Sequence, residues 1–483
     1  MTNNDIVQKL WNLCDVLKDD GINYSDYVSE LVQLLFIKMV HENTESGVLN
    51  KHFLPEGKRW PDISEGKSGI ALLNYYKQML LDLSKDSDPM IAAIYAEAQS
   101  SLREPRHLEQ LIKSLDQIDW FSAQKDGLGD LYEGLLEKNA TETKSGAGQY
   151  FTPRELINSM VRCVKPQAGE LIQDPAAGTA GFLIAADAYI KQQTDDLFDL
   201  DAKQKVFQRD HAFVGVELVP KTRQMALMNC LLHGMEGDDE GVIHQGNSLG
   251  EAGKNLPRAD VILANPPFGS SKGGNAAITR DDLTYKTNNK QLAFLQHIYR
   301  GLKPGGRAAV VLPDGFLFGE GVKARIKEQL LQHCNLHTIV RLPNGVFAPY
   351  TGIKTNLLFF TKGQPTQHIW YYEHPYPQGV KTYNKTKPIR IDEFDAEKAW
   401  WGTEQDGFAA RVENERAWKV GIDQIKAAGY NLDQKNPHIG EQQSHDPDEL
   451  LADYARLQAE AQALRDELKG ILAQSLAKTA ASA

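Results

Sequence analysis

No stretch of about 18 apolar residues occurs in the 483-residue chain, so the sequence offers no membrane-spanning helix. Its first residues lack the basic, apolar, small-residue order of a secretory signal, and a cytoplasmic protein is expected. Cysteine is scarce. Cys14, Cys163, Cys230 and Cys334 lie far apart, with no Cys-x-x-Cys and no histidine cluster at ligand spacing, so neither disulfides nor a metal site is expected. Positive charge is also short: 53 Lys and Arg stand against 64 Asp and Glu, a net −11. A chain that grips nucleic-acid phosphates by itself normally presents a basic footprint. If this one acts on nucleic acid, it borrows a basic partner or gathers its basic residues on one face. A mildly acidic cytoplasmic enzyme has the same balance. What remains is globular material, 41% hydrophobic and 24% charged, in a chain long enough for two or three domains.

Residues 1–142 carry helical periodicity. Ile6, Leu10, Leu13 and Leu17 recur at helical spacing, 27–40 is similar, and further stretches lie near 70–84, 89–102, 107–117 and 127–138. Thr143 to Gly148 is small and polar, a linker composition. It runs into Gln149-Tyr150-Phe151-Thr152-Pro153-Arg154-Glu155, where Thr152, Pro153 and Glu155 predict the N-cap, N1 and N3 of a helix over 153–164. From about 169 to 375 short apolar runs alternate with helical segments. Strands are predicted at 171–173, 213–217, 242–245, 261–264, 308–312, 338–342 and 355–361, with helices near 180–193, 219–234, 291–302 and 319–333. That alternation gives an α/β fold with a mostly parallel, doubly wound sheet. The polar segment near 194–210 reads as an insertion, and 376–440 is mixed and unassigned. Asp446-Pro447-Asp448-Glu449 is a helix start. Leu450, Tyr454, Leu457, Ala461, Leu464, Leu468 and Ile471 then form a narrow seam. Such a seam suits one partner helix, the alternative being a helix folded onto its own core.

The chemistry-bearing stretch is Ala264-Asn265-Pro266-Pro267-Phe268-Gly269, after the apolar run Ala259 to Leu263. Two prolines cannot continue a strand, so the chain leaves the sheet at its C-terminal end, where open α/β sheets place ligands. There the Asn265 amide and the Pro266 carbonyl offer two acceptors beside the ring of Phe268. A planar group bearing an amino substituent, such as adenine, fits them; an ordinary loop with a packed phenylalanine is the alternative. Asp174-Pro175-Ala176-Ala177-Gly178-Thr179-Ala180-Gly181-Phe182 follows the first predicted strand and opens a helix. Small residues allow close backbone approach, and a helix N-terminus offers free N–H groups. The pattern is not Gly-x-Gly-x-x-Gly and brings no phosphate-binding lysine, so NAD and nucleoside triphosphates fit poorly. Glu217 ends the second strand, where a carboxylate can accept both hydroxyls of a ribose; a solvated strand-end acid is the alternative. Segment 275–290, with Arg280, Lys286 and Lys290, either orders over a bound base or its phosphates or is a solvated loop.

These motifs, in this order, resemble the S-adenosylmethionine-dependent amino-methyltransferases, whose signature is Asn/Asp-Pro-Pro-aromatic. More closely, most of the chain resembles the modification (methyltransferase) subunits of type I restriction–modification systems. The resemblance implies a Rossmann-like methyltransferase sheet closed by an antiparallel hairpin running through Pro349-Tyr350-Thr351-Gly352. It divides the chain into an N-terminal helical domain (1–142) that helps enclose DNA, a cofactor-closing segment (143–153), the catalytic domain (154–375), a mixed extension (376–440) and a partner-binding C-terminal helix (441–483). S-adenosylmethionine is the implied cofactor, contacted by Gly148, Gln149, Tyr150, Phe151, Thr152 and Pro153. Asp174 would take its ammonium group, and the main chain of Gly178, Thr179 and Ala180 its carboxylate. Glu217 would take its ribose, with Asn247 and Ser248 near its adenine, where many relatives carry an acid. Asn265, Pro266, Pro267 and Phe268 are the implied catalytic residues, acting on N6 of adenine in DNA. The implied partners are DNA, a separate specificity subunit holding two copies of this chain, and a restriction (nuclease–translocase) subunit; no membrane is involved. Two other readings share the signature. A protein-glutamine or ribosomal-RNA guanine methyltransferase is poorly matched to the long helical N-terminus and tail. An inactive assembly subunit is opposed by the intact Asp174, Glu217 and Asn265.

Overall fold

The structure, a computed structural model, describes residues 3–16, 24–47, 52–118, 120, 128–142, 151–274, 277–348, 350–384, 386–438 and 447–481. By chain contacts it divides into two units, Met1–Lys435 and Asn436–Ala483. The first is built on one sheet of β1 (Ile172–Asp174), β2 (Phe213–Glu217), β3 (Ile243–Gln245), β4 (Ala259–Ala264), β5 (Leu302–Pro313), β6 (Cys334–Arg341), β7 (Thr355–Lys362), β8 (His368–Glu373) and β9 (Ala417–Gly421). Their spatial order is β3-β2-β1-β4-β5-β7-β6-β8-β9. The first five strands pair in parallel. Parallel strands are covered on both faces, which is why β4 is apolar throughout its inner run, with Val261, Ile262, Leu263 and Ala264 all fully buried. β7 enters antiparallel between β5 and β6, which forms the predicted terminal hairpin.

β1 pairs with β2 on one side and β4 on the other, so the strand order reverses at β1. Successive connections leave this point toward opposite faces and open a crevice at the strands' C-terminal ends. The site's position follows from that topology.

Ahead of the sheet come α1 (Asn3–Val16), α2 (Tyr24–Glu45), α3 (Trp60–Ser64), α4 (Gly69–Leu83), α5 (Pro89–Ile94), α6 (Pro105–Asp116) and α7 (Leu128–Glu142). The sheet's own helices are α8 (Arg154–Val164), α9 (Gly181–Gln193), α10 (Ala202–Asp210), α11 (Pro220–Leu232), α12 (Glu251–Lys254), α13 (Lys290–Gly301) and α14 (Val322–His333). α5 ends earlier than the predicted 89–102, because Glu97 takes a left-handed backbone (φ +61°) that no helix continues. α7 lies against α11, where the Tyr132 hydroxyl reaches the Met228 sulfur at 3.4 Å. One hydrophobic core runs from α1 and α2 through α7 and α11 to the sheet.

Two strands absent from the predicted set extend the sheet: β8, before residue 376, runs parallel to β6, and β9, within the unassigned 376–440, runs antiparallel to β8. α15 (Asp395–Trp400) and α16 (Ile422–Ala427) flank them. Here Arg411 lies 3.6 Å from the Phe408 ring and 4.4 Å from that of Trp400, while its Nη1 donates to Thr338 Oγ1 (2.8 Å). In the second unit, α17 (Pro447–Ala481) carries Leu451, Tyr454, Leu457, Leu464, Leu468 and Ile471, each 55% to 64% exposed. The predicted cap Asp446 lies outside the described residues.

Arg307 on β5 pins the end of α8 to the sheet. It donates to both Glu170 carboxylate oxygens (2.7 and 2.9 Å) and to the Val164 and Lys165 carbonyls (2.7 and 2.8 Å). Arg307→Lys keeps the charge but loses this fork. Stability should fall by about 2 kcal/mol, seen as a lower urea midpoint at unchanged slope; an unchanged midpoint would contradict the role.

Candidate active site

A cavity of about 440 Å³ lies at the C-terminal ends of β1, β2 and β4. It brings together the Asp174–Phe182 loop, Glu217 and Val219 after β2, Gly246 to Leu249 after β3, and Asn265 and Pro267 after β4. Phe151 and Thr152 border it from the segment before α8, and Lys290 and Phe294 from α13. Stretches far apart in sequence therefore share one wall, as the reversal at β1 requires.

The two carboxylates build the loops before they can serve a ligand. Glu217, 5% exposed, accepts from the N–H of Gly178 (3.0 Å) and of Val219 (2.8 Å). Gly178 turns with a left-handed φ of +55°, which glycine adopts without strain. Asp174 accepts from the Ala176 N–H (2.9 Å), and burial beside Glu217 pushes its carboxyl up to about 8. Both carboxylates border the cavity.

Several predicted contacts fall differently. The Gly178 N–H, predicted as a main-chain donor, is already given to Glu217. Ala180 is fully buried, donates to the Ala177 carbonyl (2.8 Å) and does not border the cavity. Thr179 does border it, and its carbonyl accepts from Asn229 of α11 (3.0 Å). Gly181 and Phe182, which sequence reasoning did not assign to the site, bring the first turn of α9 to the wall, where helix N–H groups have no intrahelical acceptor. Asn247 Oδ1 accepts from the Leu249 N–H (2.9 Å), and its Nδ2 donates to the Ala277 carbonyl (2.7 Å). Ser248 donates to the Pro175 carbonyl (2.5 Å), tying the loop after β3 to the loop after β1.

Arg280 corrects the expectation of a residue poised over a base or phosphate. It is buried, donates to the Ser248 carbonyl (3.1 Å), and meets both Asp282 oxygens (2.5 and 2.6 Å). Arg280 holds the Asp282 carboxyl down at about 2; burial, with Arg280 beside it, holds His297 at about 3. Of the other two, Lys286 is exposed and Lys290 borders the cavity. Gly148, Gln149 and Tyr150 lie outside the described residues. Pro153 caps α8, which begins at Arg154 rather than at Pro153.

Thr152 is the second correction. Predicted as the cap of α8, it makes no such bond; its Oγ1 accepts from Asn265 Nδ2 at 2.9 Å. A residue before proline is driven to an extended conformation, which aims Thr152 away from the helix it precedes. Asn265 Oδ1 is then buried with no hydrogen-bond partner among the described residues. Pro266 is buried, and Phe268 is half-buried and packs against the main core rather than bordering the cavity. Away from this wall, Asp130, Glu133 and His233 converge, but Glu133 is ion-paired with Arg154 and His233 Nδ1 sits 2.8 Å from the Asn229 carbonyl.

The donor set suits S-adenosylmethionine. Carboxylate lone pairs face hydroxyl and ammonium groups, helix N–H groups face a carboxylate, and Ile157, Phe182 and Phe294 give apolar walls to a base.

Comparison with known proteins agrees with this chemistry. The sequence profile of the N-6 DNA methylase family matches residues 123–446. The chain is 45% identical over 443 residues to the type I restriction enzyme EcoKI methylase subunit of Escherichia coli strain K12, covering 89% of this chain and 81% of that one. It is 43% identical over 488 residues to the EcoEI methylase subunit of Escherichia coli, covering 96% and 97%. A chain solved in work on complex assembly and conformational transition of the type I R-M system superposes with a TM-score of 0.76 at 30% identity, covering 98% of this chain and 99% of that one.

Asp174 should make stability pH-dependent. Its carboxyl is raised to about 8 in the folded chain, so the folded state holds a proton that the unfolded state releases near the ordinary value of 3.8. The stabilisation is complete below about 4 and is lost as the pH rises to about 8. Asp174→Asn lacks this dependence. Its Tm relative to the parent chain should climb between about pH 4 and 8 and level off above; a constant difference would contradict the raised value.

Proposed function

The chain belongs to the N-6 DNA methylase family, among the methylase subunits of type I restriction enzymes, and from that premise we propose that it transfers a methyl group from S-adenosylmethionine to N6 of adenine in DNA as the modification subunit of such a system. This is an adenine-specific DNA methyltransferase, and its product marks host DNA as protected. The observation that carries the reading into the site is the buried, unpaired Asn265 Oδ1 at the end of β4.

An adenine amine is a weak nucleophile, because its lone pair is delocalised into the ring. Asn265 Oδ1 accepts one N–H and the Pro266 carbonyl the other, which favours a pyramidal nitrogen and stabilises positive charge as it develops. No strong base is needed, since the proton can leave after the methyl arrives. When bound, S-adenosylmethionine supplies an electrophilic methyl group on a sulfonium. Asp174 takes its ammonium group, Glu217 its ribose hydroxyls, and the first turn of α9 its carboxylate. The target base reaches the turn by flipping out of the duplex, and the accessible part of Phe268 offers it a stacking surface.

Membership in the type I enzymes supports association with DNA, a specificity subunit and a restriction subunit. We further read two copies of this chain per specificity subunit, an N-terminal helical domain helping to enclose DNA, and action in the cytoplasm. The exposed seam of α17 and the net charge of −11 favour a partner that supplies both a helix and a basic grip. Among the described residues no helix is long and apolar enough to cross a membrane.

Asn265→Ala should lower turnover by roughly 100-fold or more while S-adenosylmethionine binding persists. Base-resolution methylation sequencing of the host genome should show methyladenine disappearing from one split, two-part motif in the variant strain. An unchanged genome would sink the DNA-adenine reading and point to protein glutamine or ribosomal RNA.

A further inference from the structure

An asparagine amide can present an acceptor to an amine in only one of its two orientations. Among the described residues the only hydrogen-bond partner of the Asn265 side chain is Thr152 Oγ1, 2.9 Å from Nδ2. We propose that Thr152 is a positioning residue for methyl transfer: its hydroxyl oxygen accepts from Asn265 Nδ2 and so turns Oδ1 toward the target amine. This rests on the reading of Asn265 given above.

The reversed amide would set its own N–H groups against the N–H groups of the adenine, donor against donor. A hydroxyl can donate as well as accept, so Thr152 alone tolerates either orientation. The target amine has only donors to offer here and selects the orientation in which Thr152 accepts. Without that hydroxyl, Nδ2 would have no bond in the productive orientation, and the target amine alone would have to hold the amide there.

The placement of Thr152 adds a consequence. It belongs to the segment entering α8, not to the β4 turn, and with Phe151 it borders the cofactor cavity. The catalytic amide is therefore aligned only while 151–153 is seated beside β4. One segment thus both borders the cofactor's space and sets the acceptor for the base.

The test uses the chain in complex with its specificity partner and a duplex carrying the target motif. Single-turnover methylation is measured beside calorimetric binding of S-adenosylmethionine. Thr152→Val, which removes the hydroxyl at nearly constant shape, should slow methylation about 10- to 100-fold, the rate equivalent of one buried hydrogen bond. Cofactor affinity should change far less than the rate, and Thr152→Ser should recover most of the rate. In an Asn265→Ala background, Thr152→Val should add no further loss. A parental rate in Thr152→Val with Asn265→Ala inactive would overturn the positioning role alone. Weakened cofactor binding at an unchanged methylation rate would make Thr152 a cofactor contact instead. Turnover persisting in Asn265→Ala would overturn the Asn265 reading and the positioning role with it.

Discussion

A buried amide oxygen left without a partner costs about 1–3 kcal/mol, and the site is arranged to keep Asn265 Oδ1 in that state. Two prolines force the chain out of β4 just after it. Thr152 occupies the nitrogen side of the amide and leaves the oxygen side open. The reversal of strand order at β1 places this turn beside the Asp174 loop. An unmet acceptor is unfavourable in the free chain and becomes favourable only when a donor such as an exocyclic amine arrives. Binding is thus concentrated where charge develops during the reaction.

The same economy governs the acids. Glu217 and Asp174 each hold a loop by accepting backbone N–H groups, and both border the cavity. Their proximity and burial raise Asp174, so an arriving ammonium group would meet a carboxyl that gains from its charge. The Ser248–Pro175 bond fixes the loop after β3 to the loop after β1, and the buried Arg280, donating to the Ser248 carbonyl, ties that loop to the long excursion after β4. Arg280 is thus committed to holding loops, while Lys290 borders the cavity and Lys286 is exposed.

Legibility in the sequence followed the range of the interaction. Short apolar runs, the prolines after β4 and the small residues after β1 act within a few positions, and they placed the seven predicted strands and the turns between them. Thr152 read as a helix cap because local rules see only Pro153 and Glu155; its partner, Asn265, lies in the turn just after β4. Arg280 read as a free cation because its partners, Asp282, His297 and the Ser248 carbonyl, meet only in the folded chain. β8 carried a usable signal, the buried run Ile369-Trp370-Tyr371-Tyr372, that sequence reasoning passed over, whereas the short β9 is held by pairs such as Trp418 stacked on Tyr371 (5.2 Å), a cross-strand contact between segments far apart in sequence. Gly181 and Phe182 had a usable signal, since they open the helix whose free N–H groups the glycine loop presents.

The most direct measurement is a structure of the chain with its specificity partner, the methyl-donor analogue sinefungin and a duplex carrying the target adenine. The account predicts the adenine outside the helix stack, its N6 within hydrogen-bond distance of Asn265 Oδ1 and the Pro266 carbonyl, and Nδ2 still on Thr152. An adenine amine bonded elsewhere, with Asn265 Oδ1 turned onto Thr152, would contradict it.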